Sequence, residues 1–492
     1  MLIAHLGAQE FNSVPLDHPA YDIIAMGVMK GIILPPPGVK PWSLHTVTQK
    51  LREITGYSAQ ILSARETAIA LHTLDSLERT TGYDPKNGRY RTENENAAFE
   101  AGLGLESHFF TGAPDTPFTN NTIARLYLGG GRPSASWNLA ALGEILAEEN
   151  KITLIPAAEG ELNGVFNNHK NQNLQLRLGR IRHDWGYGPS GASLFLNGRA
   201  YPFTAFEWTF LPLQWMNISF LCGALEHSRE NNQWLREKLF SSALTAAQVE
   251  IIPMRYFRFC LGGAAALRDQ PDGAFFTGIE LTLPGPFLLW GSLFIDRLNA
   301  SAENFLSLNS NSYAWQTGAR AHISWIPFAA FTVRYTKIEP YCYSAFINGG
   351  ESLGYYLPPN SDELFLRAES TLFPGLNAHV QFQMIRHGAG YGYGAVDGSS
   401  RHDSLANNGT AKYFLMDGVY QWDNAVKSGV SYRLKAGGVP VLVYAEAGLV
   451  ITKFTINGKA GVGNEADYQS LNDDVYRARN RFVFSAGFRL FP

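Results

Sequence analysis

The segment Arg481-Phe482-Val483-Phe484-Ser485-Ala486-Gly487-Phe488-Arg489-Leu490-Phe491-Pro492 decides the fold. Phe482, Phe484, Ala486, Phe488 and Leu490 fall on one face, and Arg481, Val483, Ser485, Gly487 and Arg489 on the other. A period of two is a strand with one apolar side. Outer-membrane β-barrels typically finish on such an aromatic strand, which the barrel-insertion machinery reads. Soluble proteins seldom end this way. Phe491 stands where the usual terminal aromatic is expected, and the trailing Pro492 is a departure.

Working back from there, the same alternation recurs to about Asn94. Phe99, Leu103 and Leu105 alternate with Glu100, Gly102 and Glu106, and Leu174, Leu176 and Leu178 with Gln175 and Arg177. Val380, Phe382 and Met384 alternate with His379, Gln381 and Gln383, and Val430, Tyr432 and Leu434 with Ser431, Arg433 and Lys435. A soluble sandwich has the same local pattern, so alternation alone does not choose between the two. Length does. About 400 residues without a second helical domain, at roughly 20–25 residues per strand and loop, give about 16–18 strands of one barrel.

Composition agrees. Of 492 residues only 17% are charged and 13% are aromatic, with 48 glycines. Soluble chains carry about 25% charged residues. Mean hydropathy is -0.12, far from that of a helical membrane protein, and no run of about 18 apolar residues marks a spanning helix. A net charge of -3 provides no basic stripe for nucleic acid. Cys222, Cys260 and Cys342 are too few for a disulfide scaffold and read as packing residues, and no His or Cys pair has metal-ligand spacing. No metal or cofactor is expected.

The first part of the chain reads differently. Residues 1–13 resemble the tail of a secretory signal or a disordered start, and 14–90 a small helical domain. Asp17 is placed to cap a helix with Pro19 in its first turn, Tyr21, Ile24 and Val28 on one face, and Gly31 as a stop. Ser43 caps a second helix with Val47, Leu51 and Ile54, ended by Gly56. Ser63 and Glu66 form a capping box before Ala68, Leu71 and Leu74. Helices this short need partners and should pack on each other and on the barrel mouth. Asp17, His18 and Tyr21 read as caps and packing rather than a site. Within 91–492, Leu139 to Asn150 and Trp234 to Glu250 look helical and are expected to be loop or plug elements. Asn120-Asn121-Thr122, Asn408-Gly409-Thr410 and the Gly/Tyr stretch Gly388 to Gly394 read as loops, and Asn217-Ile218-Ser219 as strand.

The densest cluster is Gly179 to Pro202, GRIRHDWGYGPSGASLFLNGRAYP. Gly179-Arg180, Trp185-Gly186, Gly188, Ser193-Leu194, Asn197 and Pro202 resemble the motif of the capsule-assembly outer-membrane barrels, the Wzi family. Tyr187 stands where the family has Pro, with Pro189 displaced, and Asn197 to Pro202 scrambles the family's corner. The helical opening, with its Pro41-Trp42 pair, is similar too. The resemblance implies an antiparallel transmembrane barrel with a small N-terminal helical domain. It implies a protein that holds surface polysaccharide and sits as a monomer in outer-membrane lipid of a diderm bacterium, with the helices on the periplasmic side.

The residue types suit that role. Aromatic faces cover sugar C–H patches and planar polar groups take paired hydroxyls, and Trp185, Tyr187, Asn197, Arg199 and Tyr201 supply both. The same stretch also reads as a structural turn, with Gly permitting positive φ, Pro fixing it and Trp as an interfacial anchor. The residue types favour the turn. The rival function is a porin or solute channel with the helices as its plug. Inward Arg177, Arg320, His322, Arg334, Arg433 and Glu446 carry mixed signs, which suits interlocking ion pairs better than an ion-selective ring. His183-Asp184, His227-Ser228 and His402-Asp403-Ser404 show no recognisable triad, and no catalysis is expected.

Overall fold

The computed structural model describes residues 12–57, 61–77, 82–84, 89–93, 98–111, 119–132, 135–148, 151–168, 172–189, 191–213, 215–226, 242–267, 272–296, 312–340, 342–343, 346–348, 351–388, 418–436, 439–457 and 479–490. Residues 1–11, Phe491, Gly394, His227-Ser228, His402 to Ser404 and Asn408 to Thr410 lie outside the described residues.

Alternating segments form strands because each can give lipid one face and the lumen the other. After β1 (Val39–Lys40), β2 (Gly82–Asp84) and β3 (Arg89–Glu93) come β4 (Ala98–Thr111), β5 (Thr119–Arg132), β6 (Ala135–Glu148), β7 (Lys151–Asn168) and β8 (Gln172–Ile181). The short β9 (Asp184–Trp185) precedes β10 (Phe203–Leu213), β11 (Met216–Leu225), β12 (Ser242–Met254), β13 (Phe257–Leu267), β14 (Asp272–Leu283), β15 (Phe287–Asp296), β16 (Ser312–Ile323) and β17 (Ala329–Ile338). The pair β18 (Ile347–Asn348) and β19 (Glu351–Ser352) leads to β20 (Ser361–Phe373), β21 (Leu376–Gly388), β22 (Gly418–Ala436), β23 (Val439–Asn457) and β24 (Arg479–Leu490).

Setting aside the short strands, 18 strands pair antiparallel with their neighbours in sequence. The barrel closes where β24 meets β4, from Leu490↔Leu105 to Phe484↔Thr111. The hairpin β2–β3 continues along the rest of that β4 edge, with Arg89 opposite Gly102. One end carries short turns, such as those at 255–256, 284–286 and 374–375. The other carries the long connections 182–202 and 339–360.

The expected sidedness holds. Leu103, Val380 and Phe482 are 64%, 56% and 64% exposed on the outer wall, whereas Glu106, Arg177, Arg320 and Gln381 are buried inward. Trp325, Tyr256, Trp215 and Phe373 are exposed at the short-turn end, the start of an aromatic girdle. Cys222, Cys260 and Cys342 form no disulfide. Asn217 to Ser219 lie in β11, as read.

Three readings are corrected. Leu139 to Glu148 lies in β6 and Ser242 to Glu250 in β12, so neither is helical. Helix formers such as Ala, Leu and Glu dominate both, but cross-strand pairing overrides that weak propensity. In β12 the inward residues Leu244 and Ala246 are apolar because the lumen there is packed, which erases the alternation. Asn120 to Thr122 is strand, not loop. The side chains of Asn120 and Thr122 bond along the outer face of the wall: Thr122 Oγ1 donates to Asn120 Oδ1 at 2.9 Å, and Asn120 Nδ2 lies 3.4 Å from Ser107 Oγ.

The helices are α1 (Ala20–Met29), α2 (Leu44–Gly56) and α3 (Ala64–Leu77). Gly31 stops α1 at φ +68°. Ser43 Oγ accepts from Thr46 N at 3.2 Å, and Val47, Leu51 and Ile54 are fully buried. The Ser63–Glu66 capping box forms in both directions, at 3.2 and 2.9 Å. Two details differ from expectation. Pro19, not Asp17, is the N-cap of α1, and His18 Nδ1 receives the Ala20 N–H. Asp17 pairs with Arg489 of β24 instead, at 3.2 Å. In α3 the buried face runs Ile69, Ala70, Thr73, Leu74 and Leu77, leaving Ala68 and Leu71 exposed. Glu66 turns inward to meet Lys30 at 2.7 Å, which fixes that rotation.

Candidate functional site

The helices pack into the short-turn end of the barrel. Their shared core, with Ile23, Ile24, Val47 and Leu51, includes Phe328 and Ala330 of the barrel wall. Luminal charges grip the segment. Arg320 holds both Asp22 and Glu369, at 3.0 and 2.7 Å, and Glu161 takes the N–H and hydroxyl of Ser13 at 2.6 Å each. Arg258 donates to the Pro36 carbonyl at 2.7 Å and lies 2.7 Å from Glu280. Glu250 accepts the Gly38 N–H, and Arg177 donates to Pro41 O at 3.0 Å. These buried charges are paired, as burial demands.

From the other end the motif loop 182–202 folds back into the lumen and meets the N-terminal segment. β1 and β9 pair antiparallel, Val39 with Trp185 and Lys40 with Asp184. Trp185 N also donates to Leu196 O at 3.0 Å. The loop is held by its own side chains. Asp184 accepts from Gly191 N at 2.8 Å and from the Ser193 hydroxyl. Asn197 Nδ2 donates to the Gly191 and Ser193 carbonyls, both at 2.9 Å, and its Oδ1 accepts from Arg199 N at 3.0 Å. Gly188 sits at φ +84°, and a Cβ there would lie 2.8 Å from the Trp290 ring. Both facts require glycine. A Cβ on Gly198 would lie 2.4 Å from Leu16, so the loop touches the N-terminal segment there as well.

Glu207 of β10 anchors the crossing. It accepts from Arg177 at 3.1 Å, from the Trp185 indole at 3.3 Å, and lies 2.9 Å from His183. Around it Phe195 stacks on Phe276 at 4.3 Å, and Phe294 on Tyr343 at 4.9 Å. Tyr343, from the second long connection, donates its hydroxyl to Leu194 O at 2.6 Å. Burial keeps that phenol neutral by pushing its pKa well above 10. Arg334 and the hydroxyls of Tyr355 and Tyr356 converge on Glu363.

The five residues singled out for sugar contact therefore divide. Trp185, Tyr187 and Asn197 are each 1% exposed and present no face to solvent. Tyr187 lies under the Arg258 guanidinium, 4.5 Å from its ring centre. Arg199 is exposed, and Tyr201 is half-buried, at the long-connection end. The Arg199 guanidinium lies 4.7 Å over the Tyr356 ring, and Tyr201 O accepts from Asn348 at 3.2 Å. Of the motif residues, Gly179 and Arg180 end β8, where Arg180 pairs with Glu226 at the rim. Gly186 donates to Gly38 O at 3.2 Å, Pro189 O accepts from Ala192 N at 3.0 Å, Leu194 is buried, and Pro202 leads into β10. Phe482 and Phe484 face outward, with Phe488 and Leu490 on the same side.

Sequence reasoning missed Glu207, Glu363 and the 339–360 connection. The signal for Glu207 was an acid inside the apolar run Phe203-Thr204-Ala205-Phe206-Glu207-Trp208. Among the described residues no cluster of acids, His and Cys could hold a metal. A cavity of about 50 Å³ remains among Tyr21, Asp22, Trp42, Arg258 and Arg320. That is room for a few waters.

No family model matches the chain, and no curated protein does. Among solved structures it superposes on Wzi of Escherichia coli, an outer-membrane protein involved in group 1 capsule assembly and described as a carbohydrate-binding β-barrel. The TM-score is 0.60 at 12% identity, over 97% of this chain and 99% of that one. OccK5 of Pseudomonas aeruginosa matches at a TM-score of 0.48 and 12% identity, over 80% and 98%. The second likeness is too loose to guide the reading. The chain is an antiparallel β-barrel with the fold of Wzi, as the Gly179–Pro202 motif led us to expect.

Proposed function

We propose that this barrel is a closed surface anchor that binds extracellular or capsular polysaccharide, and not a solute channel. The observation that carries the reading is the pairing of β1 with β9 inside the lumen, between a segment entering from each end. A pore built for flux would leave a continuous polar path, whereas here an aromatic core and interlocked ion pairs occupy that space. The helical end faces the periplasm, and the long connections face the cell exterior. The protein works as a monomer in outer-membrane lipid after delivery by a signal peptide and the insertion machinery. Polysaccharide contacts Arg199 and Tyr201, with Tyr356 beside them, because these planar groups are accessible at the outer end. Trp185, Tyr187 and Asn197 support that surface from beneath.

The test is retention on a bacterial polysaccharide array of the full chain in lipid nanodiscs. The Arg199→Ala, Tyr201→Ala double variant should bind at least about tenfold more weakly, as loss of Arg and Tyr contacts usually does. Equal retention by the double variant, or no retention of any polysaccharide by the folded chain, would contradict the reading.

A further inference from the structure

The outer wall of a barrel should be apolar where it meets lipid. On one sector near the long-connection end it is not. Lys337 of β17 lies directly opposite Asp362 of β20, which lies opposite Arg386 of β21. Arg386 lies opposite Trp422 of β22, and Trp422 opposite Lys453 of β23. Directly opposed residues share a face. This row shares its face with Val380 and Val426, exposed by 56% and 53% on the lipid side. With strands about 4.8 Å apart, the row spans ~19 Å of wall.

Asp362 is buried beneath Arg386 and Tyr335. The guanidinium grips it through Nε at 2.8 Å and through Nη2, and the Tyr335 hydroxyl donates at 2.8 Å. Counting Glu339, two residues beyond Lys337, the row sets three cations against two carboxylates and keeps an excess of positive charge. The Arg386 guanidinium also lies 5.2 Å over the Trp422 ring, and an indole at this level marks the membrane interface. Lys453 is exposed. On the neighbouring sector Arg180, opposite Thr204, is neutralised by Glu226, and Ala224, Leu267, Phe275 and Tyr313 are uncharged.

We propose that Lys337, Arg386 and Lys453 form a docking strip for the phosphates of phosphorylated lipid headgroups in the leaflet at the long-connection end. A lipid is the occupant because the row continues directly into apolar wall, so a bound phosphate brings its acyl chains against Val380 and Val426. The Arg386–Asp362 pair holds the guanidinium over Trp422, and the two lysines close the row at either end.

The experiment is native mass spectrometry of the full chain in detergent with added bisphosphorylated lipid A, its dephosphorylated form, phosphatidylglycerol or inorganic phosphate. The folded chain should retain the phosphorylated lipids and shed the dephosphorylated one, and millimolar inorganic phosphate should not displace them. Stronger retention of lipid A than of phosphatidylglycerol identifies the outer-leaflet lipid. The reverse order supports the phosphate site and assigns that end to the phospholipid leaflet. Lys337→Gln with Lys453→Gln leaves the Arg386–Asp362 pair intact and should weaken retention roughly 25-fold, about fivefold per cation at a membrane surface. Arg180→Gln, at the rim outside the row, should change nothing. Equal retention of the dephosphorylated lipid, unaltered retention by the double variant, or an equal loss in Arg180→Gln would overturn the proposal.

Discussion

Val39 and Trp185 are antiparallel partners inside the barrel, the first from the N-terminal segment and the second from the loop after β8. Their pairing joins two plugs that enter from opposite ends. Neither plug has a complete core of its own. The helices borrow Phe328 and Ala330 from the wall, and the motif loop borrows Phe276, Phe294 and Leu244. Filling the lumen should therefore stabilise the barrel as well as close it.

Glu207 gives the clearest measure of that stabilisation. Its carboxylate serves Arg177, His183 and Trp185, and it is 3% exposed. Glu207→Ala should cost about 3 kcal/mol in urea unfolding from lipid vesicles, because removing one member strands the others. Glu161, 3.7 Å from Arg177, keeps the loss from being larger. Glu53→Gln, which breaks the surface pair with Lys50, should cost less than about 0.5 kcal/mol. Similar costs for the two would remove Glu207 from its anchoring role.

Acid should loosen the helical segment through Glu66. Burial acts to raise its pKa, but hydrogen bonds from Lys30 and the Ser63 backbone outweigh burial and hold it below its ordinary 4.5. A lowered carboxylate contributes stability that is present above pH 4.5 and fades as pH falls through the folded-state value. Protease cleavage within α2–α3, followed against pH, should therefore rise below about pH 4.5. Glu66→Gln should be cleaved faster at neutral pH and lose the part of the pH dependence that Glu66 supplies. An unchanged profile in the variant would assign the acid response elsewhere.

Trp325 reports where the membrane lies. It is 81% exposed in the turn after β16, at the short-turn end. Lipids brominated near the headgroup should quench its fluorescence more than lipids brominated deep in the acyl chain, and Trp325→Phe should remove that component. Preferential deep quenching would shift the membrane band along the barrel.

Much of this architecture is legible in the sequence, and what is hidden has one cause. Strands whose luminal side faces polar groups announce themselves, as with Gln381 and Gln383 between Val380, Phe382 and Met384. The Ser43 cap and the Ser63–Glu66 box are local hydrogen bonds set by three-residue spacing, so they too can be read directly. β12 cannot, because its luminal Leu244 and Ala246 face the aromatic core of the motif loop and the polar half of the pattern is missing. For the same reason Trp185 and Tyr187 can be read as sugar platforms as well as the turn residues that their types favour. Only the inward fold of the loop, a long-range event, places them in the lumen. Arg199 and Tyr201, a few residues further on, emerge at the rim.

The most direct test of a closed barrel is single-channel conductance in planar bilayers, for the full chain and for a chain lacking residues 1–77. The full chain should show no stable conductance. Removing the helices should leave little, because the motif loop and the 339–360 connection still fill the outer half of the lumen. Stable conductance from the full chain, or a large open channel once the helices are gone, would contradict the anchoring account and make the barrel a plugged pore.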